Sequence, residues 1–161
     1  MPLTISSRLD MTAFVASNPA FEATVRESFT RQTFMGTLGA ALEVVEPGRV
    51  HIGVQAAPSL CQQNGFLHAG VLTSVADSAC GYAALSLAPP GHDVLSVEFK
   101  INLLKPASAP RFLACARVLR AGRTLTVAMA EVFGIGPSGQ ELVAAMLSTI
   151  IARPSSNEPA Q

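Results

Sequence analysis

The residues best suited to chemistry lie between positions 62 and 87, where a histidine, two small residues and an acid occur in order. His68, Ala69 and Gly70 begin a long apolar run whose pattern indicates a buried helix. The backbone N–H groups at the start of a helix are free to stabilise negative charge. Asp77 follows in the middle of the run. Burying a carboxylate without a partner costs free energy, so an acid in an apolar pattern suggests a function. Together these features predict hydrolytic chemistry with an oxyanion-binding helix end.

The spacing of these residues predicts a dimer. His68 and Asp77 are nine positions apart, which is about 13 Å of rise on a helix and more than short side chains can span. A second copy lying antiparallel would bring its Asp77 to Ala69 and Gly70 of the first. We therefore expect a two-fold homodimer with two equivalent interface sites, or a tetramer built from two such dimers.

Small residues at helical spacing surround the acid and favour close approach of another element. This small-residue stripe consists of Gly70, Thr73, Ser74, Asp77, Gly81 and Ala84. Glycine inside a helix costs roughly 0.5–1 kcal/mol relative to alanine, so Gly70 and Gly81 require a packing or ligand reason.

The composition predicts one soluble cytoplasmic domain. The 161 residues carry no net charge and only 14% are charged, so we expect an oligomer to cover part of the surface. No basic run favours nucleic acid, no signal peptide is evident, and the longest uncharged C-terminal run, 142–152, is too short to span a bilayer. Three scattered cysteines without metal-ligand spacing fit a reducing compartment and argue against a disulfide framework or a zinc site.

The pattern predicts an N-terminal helical segment at 1–34, a main domain at 35–152 and a disordered tail at 153–161. Within the first segment Asp10 is expected to cap a short helix, and Pro19, after Asn18, to take the first position of another. The main domain is expected to contain, in order, strands at 37–46 and 49–56, the helix up to Leu87, and a meander of four strands at 94–104, 111–120, 123–134 and 140–152. Such an antiparallel sheet wrapped around one long helix has the fold class α+β.

The segment from Val94 to Leu104 alternates between apolar and polar residues. This alternation predicts that one face of the strand carries Leu95, Val97, Phe99, Ile101 and Leu103, and the other carries Ser96, Glu98, Lys100 and Asn102.

These features together resemble a known family, the hotdog-fold thioesterases of the PaaI-like (phenylacetate-degradation) type within the 4-hydroxybenzoyl-CoA thioesterase superfamily. The residues that carry the resemblance are the run from Asn64 to Gly70, Asp77 seven positions later, and the segment from Ser96 to Asn102. The resemblance covers about residues 35–152.

The resemblance implies hydrolysis of acyl-CoA thioesters without a metal or a cofactor, since coenzyme A is part of the substrate. Asp77 is then the general base or nucleophile, and the backbone N–H of Ala69 or Gly70 binds the thioester oxygen. The family usually has glycine where Ala69 stands, but alanine retains the N–H. Ser96 matches a serine that helps to hold the attacking water, and His68 either hydrogen-bonds near the carbonyl or braces the loop.

Two further contacts follow from the same resemblance. The family often has an asparagine six residues before the histidine, where this chain has glutamine, so the candidates for an amide contact to the thioester are Gln62, Gln63 and Asn64. The cations near strand ends that are available for the phosphates of coenzyme A are Lys105, Arg120 and Arg123.

Two other functions are compatible with the sequence. A hydratase or dehydratase on the same fold would pair His68 with Asp77 across the dimer and act on the acyl chain. A non-catalytic module would bind acyl-CoA without releasing thiol. Fold analogy alone does not decide among these activities. The position of Asp77 favours hydrolysis.

Overall fold

A computed structural model describes residues 14–155, which form one antiparallel sheet with a long helix on one face. The elements, in chain order, are α1 (Phe21–Arg31), α2 (Thr33–Thr37), β1 (Ala41–Glu46), β2 (Arg49–Gln55), a 3₁₀ turn (Pro58–Leu60), α3 (Ala69–Leu85), β3 (His92–Leu103), β4 (Arg111–Ala121), β5 (Leu125–Gly136) and β6 (Gly139–Pro154). The predicted α+β hotdog fold is confirmed.

Alanines are prominent in the contact between α3 and the sheet. Ala76 and Ala79 of α3 are fully buried, and the inner face of the sheet opposes the helix with its own buried alanines: Ala114, Ala116, Ala128, Ala130 and Ala144. Small side chains on both surfaces allow the helix axis to lie close to the sheet, where close packing leaves little room for adjustment.

The strand order is β1-β2-β4-β5-β6-β3. The predicted meander of four strands is therefore wrong for β3, which pairs with β6 at one edge of the sheet, while β4 pairs with β2. The segment 104–110 joins β3 to β4 and contains Pro106 and Pro110. Such a segment is too long for a tight hairpin turn. The chain therefore leaves the edge and passes β6 and β5 before it enters the sheet again as β4.

Strand β3 contains a bulge that the alternating sequence pattern did not predict. Ser96 pairs with Ile150 and Glu98 with Thr149, so Val97 is an extra residue in the ladder. Because a bulge reverses the face of the residues that follow it, Ser96 lies on the helix side of the sheet together with Phe99. The predicted grouping of Ser96 with Glu98 on a polar face is therefore wrong.

The N-terminal helices pack beside α3. The ring of Phe29 in α1 meets the ring of Tyr82 edge-on, with 5.8 Å between centroids. The side-chain amide of Gln32 donates to the hydroxyl of Ser78 and accepts from that of Tyr82, at 3.2 and 3.0 Å. These contacts attach α1 and the residue between α1 and α2 to α3.

The ends of several elements differ from the expected positions. Helix α1 begins at Phe21 instead of Pro19, because the Asn18 side chain accepts from the Ala20 N–H in a preceding turn. Helix α3 ends at Leu85, two residues before the expected end, and β6 continues to Pro154. The expected cap at Asp10 lies outside the described residues. In the range 14–155, no helix has the length and apolar character needed to cross a membrane.

Candidate active site

The start of α3 is held by His68, which precedes the first helical residue in an extended conformation. Its ring Nδ1 accepts a hydrogen bond from the Gly70 N–H at 2.8 Å. An added Cβ at Gly70 would approach this same nitrogen to 2.9 Å, so glycine is required by the cap itself. Because Nδ1 is an acceptor here, the remaining ring proton is on Nε2 and is available as a donor.

The backbone N–H of Ala69 is the donor that this arrangement leaves free. Among the described residues it has no acceptor, whereas the N–H groups of Gly70 and Val71 bond to the side chain and carbonyl of His68. An unpaired N–H at a helix start is where negative charge is stabilised. Of the two predicted oxyanion donors, the geometry therefore favours Ala69 over Gly70.

Asp77 accepts a hydrogen bond from the Ser96 hydroxyl, with 2.7 Å between Oγ and Oδ1. The β3 bulge turns this serine toward the helix. Asp77 is only half-buried in the single chain, which corrects the expectation that it is enclosed by the core. The reason is that much of the small-residue stripe is uncovered in the single chain: Gly70 is exposed, and Thr73, Ser74 and Gly81 are only partly buried. At Gly81 on that stripe, an added Cβ would meet nothing within 4 Å.

The polar residues before His68 form a turn at the edge of the site. Gln62 accepts from the Asn64 N–H through its side-chain oxygen and from the Gly65 N–H through its carbonyl. Gly65 adopts φ +84°, which glycine permits without strain. Asn64 is exposed and serves the turn, while Gln62 and Gln63 face a cleft.

That first cleft has a volume of about 600 Å³ and joins several of the predicted site residues. It is lined by the polar residues Gln62, Gln63, His68 and Lys105, by the start of α3 at Ala69, and by apolar side chains that include Phe66, Leu72 and Leu103. Lys105 also contacts the Glu141 carboxylate and remains about half exposed. Lys105 and Ala69 thus line the same cleft.

Arg120 and Arg123 lie elsewhere in the chain. They flank the turn between β4 and β5, where the Gly122 N–H bonds to the Leu125 carbonyl. The β4 strand near this turn contacts Gly48, which is bonded to Ser86 at the C-terminal end of α3. Since the 17 residues of α3 span about 25 Å, these arginines do not share the first cleft with Lys105 within one chain.

A second cleft, of about 340 Å³, opens on the opposite side of His68. Its walls come from α2, the 3₁₀ turn and α3, and include Phe34, Leu38, Leu60, Val71 and Ser74. Sequence reasoning did not select Phe34 or Leu38. Apolar side chains in the segment after Gln32 were the available signal, but the segment is too short for its helical face to be assigned from pattern alone.

The titratable groups whose pKa values are shifted lie outside the two clefts. Burial, with a smaller contribution from the nearby Asp77 carboxylate, raises the pKa of Cys80 to about 12. Burial likewise raises the pKa of Cys115 to about 11. Burial, followed by the neighbouring Arg49 charge, lowers the pKa of His51 below its usual 6.5. Within residues 14–155, no cluster of three or more His, Cys, Asp or Glu side chains is arranged to hold a metal ion.

Comparison with known proteins places this geometry in a family. The family model of the thioesterase superfamily matches residues 64–137, which include the helix start, Asp77 and Ser96. A thioesterase family protein from Silicibacter pomeroyi is 45% identical, with a TM-score of 0.82, and the match covers 84% of this chain and 99% of that one.

More distant relatives agree. A provisionally named esterase of Saccharolobus solfataricus is 31% identical over 103 residues, or 64% of this chain and 68% of the relative. The PaaI protein from the phenylacetic acid degradation operon of E. coli shares the fold at 18% identity, with a TM-score of 0.76 over 88% of this chain and 99% of that one. The chain belongs to the thioesterase superfamily and has the hotdog fold of its PaaI-like members.

Proposed function

We propose that this protein hydrolyses acyl-CoA thioesters to a free acid and coenzyme A. Membership of the thioesterase superfamily supports thioester hydrolysis in general. The observation that carries the finer proposal is the free Ala69 N–H at the start of α3, in a cleft that also holds Lys105. A donor fixed in this way stabilises the charge that develops on a thioester oxygen without reorganisation.

The active site is proposed to combine two protomers. Ala69 and Asp77 are eight residues apart on one rigid helix, about 12 Å along its axis, so they cannot act on one carbonyl within a chain. Strand β3 has a free edge, and four of its apolar side chains are 44–56% exposed: Leu95, Val97, Phe99 and Leu103. A long exposed apolar edge strand favours pairing with another strand.

Antiparallel pairing of β3 with β3 of a second copy would form a continuous sheet across the two protomers. It would bring the Ser96 end of one strand toward the Leu103 end of the other. Leu103 lines the first cleft, and Ser96 holds Asp77. The partner's Asp77 would thereby approach the Ala69 N–H, which supports two equivalent sites per dimer.

In the proposed reaction Asp77 acts as a general base. It takes a proton from water while the water oxygen attacks the thioester carbon, and the Ala69 N–H stabilises the negative oxygen of the tetrahedral intermediate. Collapse of the intermediate breaks the carbon–sulfur bond, and the departing thiolate takes the proton from Asp77. Alternatively, Asp77 attacks the carbon directly and expels the coenzyme A thiolate. Water then hydrolyses the resulting anhydride to the free acid and the Asp77 carboxylate, and the thiolate takes the proton that this step releases. In both routes the Ser96 hydroxyl keeps the carboxylate in position.

The two clefts provide room for the two parts of the substrate. Lys105 supplies positive charge for coenzyme A phosphate in the first cleft, and Gln63 supplies an amide there. Arg120 and Arg123 could reach a phosphate only from a partner protomer. The second cleft has apolar walls and meets the first at His68, so we assign the acyl group to it.

The test is release of free coenzyme A from a panel of short, medium, long and aryl acyl-CoAs, measured by chromatography so that the protein's own thiols do not interfere. Asp77→Asn should lower kcat about 10²- to 10⁴-fold, as expected when a general base is lost. Asp93→Asn, which changes an exposed acid on β3, is the matched control and should retain activity.

Other results would change the proposed function. Full turnover by Asp77→Asn would remove this residue from the mechanism. Tight acyl-CoA binding without release of thiol would instead indicate a binding module, and consumption of an enoyl-CoA double bond would indicate a hydratase.

A further inference from the structure

The β3 bulge leaves the Ser96–Asp77 pair dependent on how the strand is held nearby. Val97 has no partner in the ladder between β3 and β6, so the regular hydrogen bonds that fix a strand are interrupted next to Ser96. A side chain aimed by an interrupted strand requires other contacts to fix its direction. Those contacts are found at Glu98, two residues after Ser96.

Glu98 is held by two hydroxyl groups from consecutive residues of β6. The Ser148 hydroxyl donates to the Glu98 backbone carbonyl at 3.3 Å, on the inner face of the sheet. The Thr149 hydroxyl donates to the Glu98 side-chain oxygen at 2.9 Å, on the outer face. Main chain and side chain of one residue are thus fixed from opposite sides of the sheet.

Ser148 is notable because its side chain is fully buried among apolar neighbours. A buried hydroxyl is costly unless it is hydrogen-bonded, and alanines occupy many neighbouring inner-face positions without such a requirement. The only side-chain hydrogen bond of Ser148 within residues 14–155 goes to the bulge carbonyl. The serine therefore serves the bulge specifically, and general packing of the core does not need it.

We propose that Ser148, assisted by Thr149, is a positioning residue that aims Ser96 at Asp77 by fixing the bulge at Glu98. This inference rests on the proposed function, in which Asp77 acts as the base. Ser148 does not touch the substrate and acts only through Ser96. Small displacements of a catalytic group lower turnover strongly, so loss of this hydroxyl should affect kcat more than KM.

The experiment compares Ser148→Ala in two backgrounds, wild type and Ser96→Ala. In the wild-type background we expect kcat to fall about five- to tenfold with KM nearly unchanged. In the Ser96→Ala background the same change should have almost no effect on kcat, because the group that Ser148 positions is absent. Thr149→Val, which retains the shape of the side chain, should lower kcat about twofold and provides a second variant if Ser148→Ala folds poorly.

Ser86→Ala is the matched control. Ser86 is the other fully buried serine of the described residues, and its hydroxyl links Gly48 to Ala83 at the far end of α3. This variant should lose stability without losing kcat. If Ser148→Ala leaves kcat unchanged, or lowers it equally in both backgrounds, the proposal is wrong.

A crystal structure of Ser148→Ala separates this inference from the proposed function. The inference predicts that the 2.7 Å contact between Ser96 and Asp77 is lost or lengthened in the variant. If wild-type protein releases no coenzyme A, the proposed function fails, while the structure still tests the positioning role. An unchanged Ser96–Asp77 contact would overturn that role whatever the activity.

Discussion

A mixing experiment tests directly whether one site takes its base from one protomer and its oxyanion donor from the other. The first variant is Asp77→Asn, which removes the base and preserves the shape of the side chain. The second is Ala69→Pro, which removes the backbone N–H. Each homodimer should be nearly inactive, because loss of one oxyanion donor alone costs about 10²- to 10³-fold in kcat.

Proline is suited to position 69 for structural reasons. Ala69 is the first residue of α3, a position that proline favours because its missing N–H has no partner within the helix. A proline also requires the preceding residue to be extended, and His68 already has φ −64° and ψ 137°. The variant therefore deletes the donor while the helix start is retained, which circular dichroism and thermal unfolding should confirm.

The expected magnitude follows from the symmetry. Equal amounts of the two variants, exchanged through mild denaturation and refolding, give half of the dimers as mixed species. Each mixed dimer contains one site with both groups intact and one site with neither. Thiol release per chain should therefore recover to about a quarter of the wild-type rate. A mixture that stays as inactive as its components, although mass spectrometry shows mixed dimers, would refute the shared site.

Three further outcomes are expected. Gly81→Ala should weaken dimerisation by about 30-fold or more in analytical ultracentrifugation, because a second copy lying antiparallel would pack against the small-residue stripe and meet two added methyl groups there. The control is Gly36→Ala in α2, where there is also open space; it should only raise the free energy of unfolding, by about 0.5–1 kcal/mol. A gain in stability alone for Gly81→Ala would show that the stripe is uncovered in solution. Phe34→Ala should shift the preferred acyl-CoA toward longer or bulkier chains, since it enlarges the second cleft; an unchanged substrate profile would remove α2 from the acyl site. Burial lowers the pKa of His51, and the neighbouring Arg49, which donates to its Nε2 at 3.3 Å, lowers it as well. Below about pH 6.5 the unfolded chain therefore takes up a proton more readily than the native protein, and the free energy of unfolding should fall as the pH falls. His51→Gln should flatten this dependence in urea titrations at pH 7.5 and 5.5.

The sequence was most informative where local pattern and burial agree. The apolar run after His68 predicted α3, and the strand patterns at 37–46 and 49–56 predicted β1 and β2, because these signals are local. The first of the two strands begins only at Ala41, after the short helix α2. The position of β3 at the edge beside β6 was not predictable from the same signals, since strand order depends on contacts between distant segments. The alternating pattern of β3 assigned Ser96 to the wrong face of the sheet, because a polar–apolar pattern does not show where a strand contains one extra residue.

In the candidate site, too, local sequence signals were informative, and contacts that depend on the fold were not predicted. The sequence pattern selected Ala69, Gly70 and Asp77 as candidates, and their spacing led to the prediction that the helix start and the acid act from different chains. Which N–H is free depends on the orientation of the His68 ring, and this is visible only in the folded structure. The hydroxyls of Ser148 and Thr149 were missed because serine and threonine are common in strands, and their partner lies about 50 residues away.

The alanine-on-alanine contact between α3 and the sheet has a consequence for how this sequence can change over evolutionary time. Ala76 and Ala79 touch no substrate, yet any larger residue at either position would lift the helix from the sheet. Because α3 is rigid and carries both Ala69 and Asp77, that displacement would alter both sites of the proposed dimer at once. Tolerance to mutation should therefore be as low at positions 76 and 79 as at the proposed site residues. A saturation library selected for activity should recover mainly alanine, glycine and serine at these two positions.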